Sequence, residues 1–243
     1  MSESTEPLSG KPAISCRGVV KHLGRRGFRT QVLHGIDLEI FAGDMTLLVG
    51  PSGCGKTTLI STIAGILQPE AGSIALFGNL ISGLGRRRLT RFRGSNVGLV
   101  LQQFHLFPAL TAAENVAVPL LVLRQTAKHA YARATQLLAE LGLAAHAGKY
   151  PHELSVGEQQ RLAIARAIAH DPRLIICDEP TAALDAASGR LVMQLLRQVT
   201  LRQDRAVLVV THDHRIFPFA DRIIHMDDGR IGRIDTPRQQ EAA

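Results

Sequence analysis

The chain has no tryptophan, two tyrosines and three cysteines among 243 residues, and each scarcity excludes something. With no aromatic side chains interleaved among its cations, it offers no surface on which exposed bases could stack, so no nucleic-acid partner is expected. Cys16, Cys54 and Cys177 are too few and too scattered for a disulfide framework. Their spacing is not that of a metal site either, which leaves three reduced thiols. No apolar run approaches the ~18 residues of a membrane-crossing helix; the longest, Val116 to Leu123, contains Pro119. The opening stretch MSESTEPLSGKP lacks the basic-then-apolar order of a signal peptide. It reads as a disordered tail over residues 1–12 of a cytoplasmic protein, and the Gln-rich residues 238–243 read as a second tail. No internal repeat is apparent.

What is present is a basic α/β pattern. The net charge is +7, and Arg86, Arg87, Arg88, Arg91 and Arg93 crowd one short stretch. That stretch reads as a solvated helix face; the alternative is a face turned toward acidic head groups or a membrane partner. Hydrophobic residues make up 45% of the chain, enough for one large core or two unequal lobes. Short apolar runs alternate with helical periodicity, which predicts an α/β domain with a largely parallel sheet. Strands are predicted at Ile14–Val20, Val32–Phe41, Met45–Val49, Ser73–Phe77, Val97–Leu101, Leu174–Cys177, Ala206–Val210 and Arg222–Met226. The first two precede any helix, so a small antiparallel sheet is expected beside the parallel one. From Thr111 to about Ala169 there is no convincing strand. Thr111 and Glu114 form a capping box, Tyr131–Leu141 ends at Gly142, and Ser155 opens a third helix. A helical subdomain inserted in the α/β core is the reading.

The chemistry-bearing residues come in four groups. GPSGCGKTT, Gly50 to Thr58, is a glycine-rich phosphate loop between the apolar run MTLLV and a helical segment. Gly50, Gly53 and Gly55 let backbone N–H groups converge on an anion beside a helix N-terminus. Pro51, Ser52, Cys54 and Thr58 complete the loop, Lys56 reaches the outer phosphates, and the Thr57 hydroxyl suits Mg²⁺. Cys54, near Lys56 and a helix start, is expected to be a reactive thiol that nucleotide shields. Asp178 and Glu179 follow the buried run LIIC; two adjacent carboxylates there are costly without a cation or a polarised water. Asp178 suits the Mg²⁺ shell, and Glu179 suits a general base for an attacking water. Ser155, Gly157 and Glu158 begin a helix 23 residues before Asp178, with a hydroxyl and bare amides that can form a second anion site. His212, after AVLVV, suits a γ-phosphate contact.

Together these motifs resemble the ATP-binding subunit of an ATP-binding-cassette (ABC) transporter, over about residues 13–235. The resemblance implies a single ATP-binding domain over 13–237, with its helical subdomain at about 103–170. It implies ATP and Mg²⁺ as ligands and a homodimer with ATP sandwiched between subunits, so that Ser155, Val156, Gly157 and Glu158 act in trans. Gln102, in GLVLQQF, would link the metal to the membrane-facing subdomain, and Asp185 would cross the dimer interface. VLQQFHLFPALTAAENV and THDHRIFPFADRIIHMDDGRI look most like the LolD, MacB and DevA branch. That branch implies a separate membrane permease exporting or extracting lipid, lipoprotein, macrolide or haem-like cargo. A periplasmic adaptor and an outer-membrane channel would act through the permease, and the subunit itself would sit on the cytoplasmic face of the inner (plasma) membrane. A regulatory ATPase resembling FtsE, with no transported substrate, is the alternative.

Three positions depart from the family pattern. Val156 and Glu158 replace a glycine and a glutamine of the usual LSGGQ signature. Leu23 stands where many members carry an aromatic residue against adenine, with Phe28 as the other candidate for that contact.

Overall fold

The computed structural model describes residues 12–25, 28–200 and 204–237. The two tails expected from sequence lie outside the described residues, except for Pro12, which begins the first strand. Strand β1 (Pro12–Arg25) pairs antiparallel with β2 (Phe28–Phe41) on one side and with β4 (Ala71–Leu76) on the other, and β4 pairs with the two-residue β5 (Asn79–Leu80). This is the small antiparallel sheet, ordered β2-β1-β4-β5.

The second sheet is built from β3 (Met45–Val49), β6 (Val97–Val100), β7 (Leu174–Asp178), β8 (Ala206–Val210), β9 (Arg222–Asp227) and β10 (Arg230–Asp235), in the order β10-β9-β3-β8-β7-β6. All its pairings are parallel except β9 with β10. Every residue of β3, β7 and β8 is buried, as a strand covered on both faces requires. Their side chains alternate between two apolar cores. Leu47, Ile175, Cys177, Val207 and Val209 face one core; Leu48, Ile176, Leu208 and Val210 face the other. The first core takes in helices α3 (Ala112–Val122), α4 (Ala127–Glu140), α5 (Val156–Ile168) and α6 (Ala186–Thr200). The second takes in α1 (Lys56–Ile63), Leu89 of α2 (Arg86–Asn96) and the antiparallel sheet.

All eight predicted strands are present, as are the predicted helices between β6 and β7. The Thr111–Glu114 capping box is formed, and Gly142 follows α4 with a φ of 68°. Helix α4 begins earlier than the sequence suggested, because Thr126 accepts the His129 N–H and caps it. Arg86, Arg87, Arg88 and Arg91 are exposed on α2, while Arg93 donates to Gly65 O at 2.9 Å. The three cysteines are unpaired and buried. Burial pushes the Cys16 thiol up to about 12 and the Cys177 thiol above its usual range, so both are inert.

Candidate functional site

The ends of β3, β6, β7 and β8 lie side by side at the carboxyl edge of the parallel sheet, where open α/β folds place their ligands. A cavity of about 590 Å³ opens there. The phosphate loop after β3 forms one wall through Gly50, Pro51, Ser52, Gly53 and Gly55, with Lys56, Thr57 and Thr58 at the start of α1. Gln102 enters from the segment after β6, Asp178 and Glu179 from the end of β7, and His212 from beyond β8. Leu23 of β1 also lines the cavity, joined by Val32 and Val210, which the motifs did not flag. Val32 was legible only through pairing, since β2 runs beside β1.

The loop is glycine-rich because it is crowded. A Cβ on Gly50 would stand 2.0 Å from Met226 O, and one on Gly55 would stand 3.0 Å from Val32 O. Gly55 also takes a φ of 102° as it turns into α1. Lys56 Nζ donates to the carbonyls of Gly50 and Pro51, at 2.8 Å each, and so bends back over its own loop.

Cys54 corrects the expectation. Its side chain belongs to the second core and is 7% exposed, and it does not line the cavity. Its carbonyl accepts the Gly229 N–H at 3.0 Å, and its Sγ lies 3.8 Å from Lys56 Nζ. The loop's curvature turns this side chain inward, so it is a buried core thiol rather than one exposed in the phosphate loop. Phe28, the first residue of β2, is 88% exposed and does not line the cavity, so Leu23 alone of the two candidates faces it.

The two carboxylates have different surroundings. Asp178 is buried, and burial is the main cause that raises its carboxyl above the usual range; the Thr57 hydroxyl opposes this, donating to Asp178 Oδ2 at 3.2 Å. Glu179 holds a φ of 52°, uncommon for a residue with a side chain, and donates its N–H to Val210 O at 2.9 Å. Its Oε1 meets His212 Nδ1 at 2.7 Å, while its Oε2 is buried without a protein partner among the described residues. One oxygen is therefore held by the imidazole, and the other is buried with no protein donor to satisfy it.

The same region fits a hard cation. Thr57, Gln102 and Asp178 offer oxygen donors on one cavity, and no group of three or more His, Cys, Asp or Glu exists for a metal among the described residues. A single carboxylate with a hydroxyl and an amide suits Mg²⁺ that takes its remaining ligands from phosphate and water.

Ser155, Val156, Gly157 and Glu158 do not line the cavity. Ser155 caps α5 in a capping box with Glu158. Asp185 is also outside the cavity; it caps α6, accepting from the N–H groups of Ala187 and Ser188 at 2.9 and 3.0 Å. Beside Gly157, a Cβ would find Ser188 Oγ at 3.5 Å, so the starts of α5 and α6 abut.

A family model described as ABC transporter matches residues 33–182. The lipoprotein-releasing system ATP-binding protein LolD of Bacteroides thetaiotaomicron is 40% identical over 218 residues, covering 90% of this chain and 98% of that protein. An uncharacterised ABC transporter ATP-binding protein of Mycobacterium tuberculosis is 42% identical over 213 residues, covering 88% of this chain; the match spans 64% of that relative's length. Among solved structures, the dimeric ATP-binding cassette MJ0796, in a post-hydrolysis state bound to ADP and Pi, aligns with a TM-score of 0.86 at 35% identity. That alignment covers 92% of this chain and 98% of the other.

Proposed function

The chain belongs to the ABC transporter family, and we propose that it is an ATP-hydrolysing subunit that powers a separate membrane permease. One observation carries this reading: a single cavity gathers the phosphate loop, Asp178, Glu179 and His212, while the helix start at Ser155 stands outside it. ATP binds with its phosphates along the loop. Lys56 leaves its carbonyl partners for the outer phosphates, and Thr57, Asp178 and Gln102 would hold Mg²⁺, which when bound offsets phosphate charge. The Glu179 carboxylate accepts a proton from a water as that water attacks the γ-phosphorus and the bond to the β–γ bridging oxygen breaks. His212 holds Oε1 and contacts the γ-phosphate. Two copies pair so that Ser155, Val156, Gly157 and Glu158 of one meet the nucleotide of the other, with Asp185 at the interface. The helices between β6 and β7 pass closure to the permease.

No described helix is long and apolar enough to cross a membrane, which suits a subunit held at the cytoplasmic face by its permease. The likeness to LolD favours an exporter or extractor of lipoprotein or other lipid-like cargo; a periplasmic adaptor and an outer-membrane channel would act through the permease. Removing a general base typically costs about 10²–10⁴-fold in rate. Glu179→Gln should therefore bind ATP, dimerise and hydrolyse at least about a hundredfold more slowly. Turnover near that of the unsubstituted protein, in a phosphate-release assay, removes Glu179 from the role. A pull-down from native membranes with the same variant and ATP should retain a permease; recovery of division proteins instead would favour the regulatory alternative.

A further inference from the structure

The start of α5 carries a carboxylate where donors for a second phosphate site are expected. Glu158 Oε2 accepts from the Ser155 backbone N–H and from the Ser155 hydroxyl, each at 2.8 Å. Ser155 Oγ in turn accepts the Glu158 N–H at 3.3 Å. A serine hydroxyl has one proton to give, and here Glu158 takes it. The other carboxylate oxygen, Oε1, lies 3.4 Å from His146 Nε2. His146 ends the 3-10 turn Ala144–His146, and its Nδ1 is buried without a hydrogen-bond partner among the described residues.

Arg161, one turn along α5, adds positive potential at Glu158. Just before α6, Asp185 receives the Ser188 hydroxyl at 2.7 Å, and Ser188 lies beside Gly157. On α3, whose first N–H groups bond to Lys149 O and Ala147 O, Glu114 caps at Thr111. Hydrogen bonds hold both Asp185 and Glu114 below the usual carboxylate range, so their charge is constant near neutral pH. His152 of the intervening turn stacks on Tyr150.

We propose that Glu158 is an internal competitor for the anion that the Ser155 donors serve, and that His146 is a positioning residue that draws its carboxylate aside when phosphate arrives. This rests on the reading in which Ser155 and Gly157 act on the partner's nucleotide. A carboxylate beside a γ-phosphate repels it and occupies its hydroxyl donor. Closure requires the hydroxyl to turn from Glu158 to phosphate, while the Ser155 N–H stays capped. A positive charge at position 146 favours that exchange.

The test uses Glu179→Gln as background and follows ATP-driven dimerisation by analytical ultracentrifugation. Adding Glu158→Gln keeps an acceptor for the Ser155 N–H but removes the charge. We expect the half-saturating ATP concentration to fall about three- to fivefold, the size of one exposed charge interaction. His146→Ala should raise that concentration. His146→Arg, which keeps a cation at that position, should not raise it. In the presence of Glu158→Gln, changing His146 should have little effect, a non-additivity that a merely structural role would not produce. Dimerisation indifferent to positions 146 and 158, or strictly additive effects, would overturn this proposal alone. Failure of Glu179→Gln to dimerise with ATP would overturn the two-subunit reading and this proposal with it.

Discussion

At Asp178 folding and chemistry pull in opposite directions. Burial raises its carboxyl above the usual range. An acid with a raised native pKa lends stability in full below its unfolded value of about 3.9, and that contribution is lost as pH rises through the native value. Above that range the protein carries a buried carboxylate at a cost, which a bound cation would offset. Asp178→Asn should therefore raise the thermal midpoint of the nucleotide-free protein at pH 7.5 and shrink the upward shift given by Mg²⁺ with ATP. Thermal melts with and without nucleotide read both; a lower midpoint without nucleotide would mean that the Thr57–Asp178 bond outweighs desolvation. Gly50, Gly55, Lys56, Asp178 and Glu179 were legible in the sequence because a phosphate site constrains backbone and charge at fixed spacing. The inward turn of Cys54 was not, since it depends on where a curved loop aims one side chain. The Ser155–Glu158 contact could have been read, because Ser-x-x-Glu is the same capping-box spacing seen at Thr111.

Among the elements, the link between α5 and the Gln102 segment stands out. Arg166 of α5 donates to the carbonyls of His105 and Phe104, at 2.6 Å each. Phe104 and His105 both take positive φ, at 57° and 49°, so the chain just beyond Gln102 holds a conformation that side-chain-bearing residues rarely adopt. A guanidinium fork can serve two adjacent carbonyls at once and an ammonium cannot match that geometry. Arg166→Lys should release the segment, lower the ATPase rate by about tenfold and leave ATP affinity nearly unchanged, while the melting midpoint falls by a few degrees for about 1 kcal/mol lost. A rate equal to the parent's would detach Arg166 from the positioning of Gln102. Sequence could not supply this link, because 61 or 62 residues separate its partners. Nor could it supply β5 and β10, the first only two residues long and the second an edge strand carrying Arg230, Gly232, Arg233 and Asp235. Buried β3, β7 and β8 were legible because they are apolar throughout.

At the scale of the whole molecule, the fold separates two sets of phosphate-seeking groups. The α/β class and the antiparallel sheet followed from the order of apolar runs, but the distance between the cavity and Ser155 is a property of packing that no local pattern encodes. A chain in which both sets served one nucleotide would have them on one cavity, and here the Ser155 helix start does not line it. Two copies facing each other in opposite directions would bring each set to the other. This makes a prediction that single-subunit catalysis cannot mimic. Lys56→Ala disables the phosphate loop, and Ser155→Arg blocks the helix start; each alone should abolish hydrolysis. In a mixed dimer, one site pairs the altered loop with the altered helix start. The other pairs an unaltered loop with an unaltered helix start. Mixing the two inactive proteins should therefore restore ATP hydrolysis, up to about one working site in each mixed dimer, as the second protein is titrated into the first. Activity that stays at zero while mixed dimers are demonstrated by differential tagging would place both groups at one nucleotide within a single chain.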